Sequence, residues 1–232
     1  MVKAVLWGLA LLPFVCQAEV TADVGLVSDY RSYGISQTEQ GPALQVSLDY
    51  SHDSGFYAGS WASNVDYGNG DDTNIEWDFY AGLYRDLSDN LGLDLGYAWY
   101  SYYGADYSSG YDYGEIYAGL SVFTNTSLYW FHASDFGGAG VAHNILKLSH
   151  VMTLGDYSLA LTLAHSESAD KNIVAWDDNE AAYQYAEIAV ARDVKGFTLS
   201  AALMATTIDT DFNDNADAAI VIALNRGFEL LP

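Results

Sequence analysis

Hydrophobic and polar positions alternate with a period of two through long stretches of this chain. From Leu91 the sequence LGLDLGYAW puts Leu91, Leu93, Leu95, Tyr97 and Trp99 on one face, with Gly92, Asp94, Gly96 and Ala98 on the other. Ile75, Trp77, Phe79, Ala81 and Leu83 alternate with Asn74, Glu76, Asp78, Tyr80 and Gly82; Leu44, Val46, Leu48 and Tyr50 alternate with Gln45, Ser47 and Asp49. Tyr157, Leu159, Leu161 and Leu163 repeat the pattern against Ser158, Ala160, Thr162 and Ala164. A helix would need apolar residues three and four apart, and an acid at every second position would spoil its buried stripe. The chain therefore reads as strands.

The pattern predicts strands near 20–30, 43–51, 56–65, 74–85, 91–103, 113–123, 127–134, 143–154, 157–166, 182–192, 197–207 and 218–228. Short connections between them (52–55, 86–90, 124–126, 155–156, 193–196) fall between long ones (31–42, 66–73, 104–112, 135–142, 167–181, 208–217). That rhythm predicts an all-β fold: an antiparallel transmembrane β-barrel of about 12 strands, with short turns at the periplasmic end and long loops outside. Strands of this length also match the roughly 9 to 11 residues that a tilted span needs. A soluble β-sandwich is the competing architecture, burying the same apolar rows between two sheets and leaving the acids in water. Facing is ambiguous at 56–65, 127–134 and 143–154, where both faces carry apolar residues.

Residues 1–18 form a separate unit: Lys3, an apolar run from Ala4 to Val15, then Cys16-Gln17-Ala18 with small residues at the −3 and −1 positions. This predicts a signal peptide cleaved after Ala18, leaving 19–232 as the barrel domain exported to a Gram-negative outer membrane. Val15 fits poorly as the residue before a lipidated Cys16. The remaining chain has no cysteine, so disulfides cannot hold it. It also has no apolar run long enough for a transmembrane helix.

Composition sharpens this picture. The chain carries 31 acids against 8 Lys and Arg, a formal charge of −23, which excludes nucleic acid as a partner. Its 19 Tyr, 9 Phe and 6 Trp exclude intrinsic disorder. In hydrocarbon the apolar row must face lipid and the acidic row must line the interior. By parity the interior row then includes Asp23, Asp49, Glu76, Asp78, Asp94, Glu115 and Glu187 against Lys147, a pore lining that favours cations. Small inward Gly92, Gly96, Ala160 and Ala164 leave room, and inward Tyr80, Tyr100 and Tyr117 fill it, so a narrow, partly filled lumen is expected. Trp77, Trp99 and Trp130, with Trp61 and Trp176, suit interfacial girdles. Arg192 and Arg226 share the outward row near the short turns, where long side chains snorkel.

Ser28-Asp29-Tyr30, Gly34-Ile35-Ser36-Gln37-Thr38, Pro42-Ala43, Gly55-Phe56-Tyr57-Ala58-Gly59 and Trp61-Ala62-Ser63-Asn64-Val65 resemble the opening of the TorF-like family of proteobacterial porins. Weaker similarity runs through Glu76 to Gly82, Tyr113 to Gly119 and Gly196 to Ser200. The resemblance implies an outer-membrane porin-like barrel and supplies no substrate. The chain departs from the family at Tyr33, where the family usually has Arg before the glycine, and at its end, where Glu229-Leu230-Leu231-Pro232 follow the last aromatic residue, Phe228.

The expected function is thus a narrow cation-preferring channel for small solutes or ions, not an enzyme. A non-conducting structural barrel that engages lipopolysaccharide is the alternative. A third reading is an outer-membrane lipid hydrolase: His132-Ala133-Ser134, followed by Asn144, has the His-x-Ser pair and polar orienting residue of outer-membrane phospholipases. Asp209, Asp211, Asn213, Asn215 and Asp217 alternate oxygen ligands, but Asp214 and Ile220 stand where a calcium loop wants Gly and Glu. His52, His143, His150 and His165 lack metal-ligand spacing. No cofactor or metal is expected.

Overall fold

A computed structural model describes residues Glu19–Leu231; the expected signal peptide lies outside the described residues. Twelve antiparallel strands close into a barrel: β1 Glu19–Val27, β2 Ala43–Ser51, β3 Phe56–Asn64, β4 Ile75–Ser88, β5 Leu91–Tyr103, β6 Tyr113–Val122, β7 Thr126–Ala133, β8 His143–Leu154, β9 Tyr157–Ser168, β10 Ala182–Val194, β11 Phe197–Thr206 and β12 Ala219–Leu231. Each strand pairs with its sequence neighbours, and β1 closes the sheet by pairing with both β2 and β12. Closure leaves no open edge, so every strand's backbone polar groups have a ladder to join.

The alternation read from sequence becomes two surfaces. Leu26, Leu44, Leu48, Trp77, Leu95, Leu163, Ile188, Leu203 and Ile220 lie on the exposed outer wall, and their sequence neighbours Gln45, Glu76, Asp94, Ala164, Ala202 and Val221 are buried inside. This is the inverse of a soluble sandwich, in which Leu-rich faces meet. The three ambiguous strands now have a facing. Tyr57, Gly59, Trp61 and Ser63 point inward on β3, Tyr129 and Phe131 on β7, and Ile145 and Lys147 on β8.

Two expectations need correcting. Trp61 does not join an exterior girdle: it packs edge-on against Tyr30, 5.2 Å between centroids, inside the barrel. Trp176 likewise packs against His143 and Tyr183, at 5.3 and 5.0 Å. The end of the chain is no loose tail either, because β12 continues through Glu229–Leu231, with Leu231 opposite Val20 and Glu229 opposite Thr21. Arg192 and Arg226 do stand on the outer wall beside aromatic rings, Arg192 5.2 Å from Tyr157 and Arg226 4.8 Å from Phe197.

Candidate functional site

The candidate site is the barrel interior. All eight residues named from parity stand on its inner row. Tyrosine hydroxyls meet five of the seven carboxylates. Glu76 accepts from Tyr30 and Tyr102, both at 2.9 Å. Asp94 accepts from Tyr57 at 2.7 Å and Tyr129 at 2.9 Å, and Tyr57 also touches the Tyr117 hydroxyl at 2.7 Å. Glu115 accepts from Tyr100 at 3.0 Å; Asp49 accepts from Tyr80 and, at 2.9 Å, from Ser47. Glu187 accepts from Tyr185. Asp78 is buried with Oδ1 lacking a hydrogen-bond partner among the described residues. Asp23 faces Gly227 across the β1–β12 seam, where a Cβ would come within 3.2 Å of Oδ1.

A phenol that donates to a carboxylate satisfies it without neutralising it. These bonds lock the side chains of the inner row in place. Lys147 stands among aromatic faces, its Nζ 5.1 Å from the Phe131 ring centroid, 5.8 Å from Tyr33 and 5.9 Å from Tyr129. Its charge also interacts with Glu115 and Glu187.

The first strand, expected over 20–30, ends at Val27, and the segment that follows, expected as an outer loop over 31–42, instead folds into the barrel. Its tip is a two-stranded ribbon, Arg31–Ser32 against Ile35–Ser36. Tyr33 (φ 46°) and Gly34 (φ 88°) form its turn, the positive-φ pair that two-residue hairpins require. The tip reaches the opposite wall. Tyr183 donates to the Tyr33 carbonyl at 3.2 Å, Tyr33 stands edge-on to Phe131 at 6.4 Å, and Gly34 presses against Tyr185 and Thr206 so closely that a Cβ would come within 2.7 and 2.5 Å of them.

A buried ion pair holds the base of the ribbon. Arg31, 1% exposed at its side chain, donates from Nε to Asp29 at 2.5 Å and from Nη1 to the carbonyls of Gly34 (2.9 Å) and Asp217 (2.6 Å). Asp29 also accepts from Ser36 at 2.6 Å. The expected strand 20–30 ran over Asp29 and Tyr30, whereas β1 ends at Val27; Arg31 and Tyr33 fell in the expected loop 31–42, beyond the reach of parity. The available signal was Gly34 after Tyr33, flanked by short polar residues able to bond locally.

The other candidate motifs have different fates. Asp209 and Asn213 are occupied with their own loop, accepting from the Asp211 and Asn215 amides at 2.9 and 3.1 Å. Among the described residues no cluster of three His, Cys, Asp or Glu side chains is arranged to hold a metal. His132 and Asn144 do meet, on the outer wall, at 3.0 Å.

A twelve-strand closed barrel, apolar outside, acidic inside and crossed by an inward ribbon, defines a β-barrel with the porin fold. Solved porins share it: NanC aligns with a TM-score of 0.58 at 11% identity over 91% of this chain and 100% of that one. KdgM aligns with a TM-score of 0.56 at 8% identity over 90% of this chain and 99% of that one, and has also been solved in complex with disordered oligogalacturonate. At these identities the likeness is one of fold. The chain belongs to the Gcw_chp family, described as a bacterial protein of unknown function, whose family model matches residues 15–145. No curated protein sequence matches it.

Proposed function

We propose that this protein is a narrow, cation-preferring channel for small solutes or ions in a Gram-negative outer membrane, reached through a cleaved signal peptide, and that it is a porin of the TorF-like kind. The observation that carries the reading is the excess of acids in the interior: Asp23, Asp49, Glu76, Asp78, Asp94, Glu115 and Glu187 on the barrel wall against Lys147, with the ribbon's Arg31 already paired to Asp29. Carboxylates confined between low-dielectric walls concentrate cations and repel anions. An anion such as the oligogalacturonate bound by KdgM is therefore a poor guide to the solute here. The apolar outer wall suits acyl chains, and lipid with its lipopolysaccharide is the expected surrounding partner.

The inward ribbon favours a second reading, a barrel that is structural and does not conduct. Planar-bilayer recording under a salt gradient separates the two. The channel reading expects a small single-channel conductance with a cation-selective reversal potential. Anion selectivity, or a silent refolded barrel, overturns it.

A further inference from the structure

The outer wall carries a constellation that conduction does not use. His132 on β7 projects outward, and its Nδ1 lies 3.0 Å from Oδ1 of Asn144, its partner in register on β8. The indole N–H of Trp130 donates to the same Oδ1 at 3.3 Å. An indole N–H only donates, so the shared amide atom is oxygen, and the His132 proton must then sit on Nδ1. That leaves the Nε2 lone pair free to act as a base. Stacking on Trp130, at 5.6 Å and 19°, fixes the ring further.

Ser134 follows two residues later, one residue past the end of β7, and is exposed. His132 and Ser134 both line a groove of about 440 Å³, whose apolar wall is Tyr97, Trp99 and Ile116. The groove lies just below the long loops 104–112 and 134–142, among exposed tryptophans. On a lipid-facing wall that is the depth of head groups and ester bonds.

We propose that Ser134, His132 and Asn144 form a site that cleaves carboxylic esters of acyl chains in the outer leaflet. His132 Nε2 takes the Ser134 proton as Oγ bonds the ester carbon. Collapse of the tetrahedral adduct breaks the bond to the alcohol oxygen, and the alcohol leaves with that proton. Water, deprotonated by the same nitrogen, then attacks the acyl-serine; the fatty acid departs and the proton returns to Oγ. Asn144 is a positioning residue that holds the tautomer. The lining holds no cationic side chain to stabilise the oxyanion, so turnover is slow and covalent capture is the sensitive readout.

The proposal rests on the lipid-facing reading of the wall, not on conduction. The full barrel, refolded in detergent, is treated with a fluorophosphonate and mapped by mass spectrometry, while fatty-acid release is followed from a soluble acyl ester and from phospholipid micelles. The expected results are an adduct on Ser134, none in Ser134→Ala, capture slowed about 100-fold or more in His132→Ala, and a loss in Asn144→Ala that Asn144→Asp restores. Conductance and heat-modifiable migration stay unchanged in all four variants, so a failed site is distinguishable from a failed channel or barrel. No adduct on Ser134, or capture indifferent to His132→Ala, overturns the site. Cleavage of the soluble ester without release from phospholipid overturns the lipid assignment.

Discussion

Arg31 donates from Nη1 to the main-chain carbonyl of Asp217 at 2.6 Å, tying the inward ribbon to the loop before the last strand, 186 residues away. The same guanidinium holds Asp29 at 2.5 Å, and both groups are almost fully shielded from solvent. Removing one partner strands the other as a buried charge, which typically costs about 3 to 5 kcal/mol. The barrel ladder does not depend on this pair, so the energy is released locally. Arg31→Ala is expected to free the ribbon while leaving the folded barrel's heat-modifiable gel shift intact. Bilayer recording should then show a conductance several times that of the unaltered chain. An unchanged conductance would mean that the ribbon does not set the narrowest point.

At the ribbon's tip, Gly34 combines two demands that no other residue meets. Its φ of 88° lies in the left-handed region, and a Cβ would press into Thr206 and Tyr185. Gly34→Val is expected to push the tip off the far wall, at about 1 to 3 kcal/mol of backbone strain alone. Fluctuating, flickering current in place of steady openings is the readout; a trace identical to the parent would show that the tip is not seated as described.

Cation preference should follow the carboxylates one by one. Asp94 bonds two tyrosines from different strands, so Asp94→Asn removes a charge and also turns an amide donor toward one of two phenols that themselves donate. The reversal potential should shift toward zero. Glu115→Gln, meeting only the Tyr100 hydroxyl, should shift it with less loss of stability. A reversal potential indifferent to both substitutions would place the conducting path elsewhere.

Most of the barrel was legible because a period of two is the strand's own geometry. One face of β4, β5 or β9 is apolar over at least four successive alternate positions, and a one-residue slip would turn the whole row around. β3, β7 and β8 resisted because their inner rows are themselves aromatic or aliphatic: Trp61, Phe131 and Ile145 fill a crowded lumen, so apolar character marks both faces. The ribbon was hidden for a different reason. Loops are surface segments by default, and nothing in the spacing of residues 28–42 says that Tyr33 finds a partner on β10, 150 residues away. Parity likewise named Glu76 as inward, but only the fold pairs it with Tyr30 and Tyr102.

The outer loops carry a pH dependence of predictable sign. Asp71 accepts from the Thr73 amide at 2.9 Å and from the Tyr111 hydroxyl at 2.8 Å, clasping the loop 65–74 to the loop 104–112. Those bonds, the Thr73 amide first, favour the carboxylate and hold its pKa below the ordinary 3.8. A lowered folded value means that the contribution is complete above the unfolded value and is lost as pH falls through the folded one. The clasp should therefore persist at pH 5 and open only in stronger acid. Hydrogen exchange at the Thr73 amide, followed with decreasing pH, checks this, and Asp71→Asn should abolish most of the dependence.

The outer wall offers the sharpest discrimination between lipid and water as its solvent. Leu163 is 58% exposed in the middle of β9, and Val194, 38% exposed, ends β10 beside a short turn. If acyl chains cover this wall, an arginine at mid-depth costs about 2 to 4 kcal/mol and one near the interface about 0 to 1. Leu163→Arg should accordingly lower the denaturant midpoint for folding into bilayers far more than Val194→Arg. Water would treat the two alike, because an exposed arginine on a wetted sheet is indifferent to its depth. Equal midpoints for the two variants would remove the membrane from every step of the functional argument, beginning with the inward orientation of the acids.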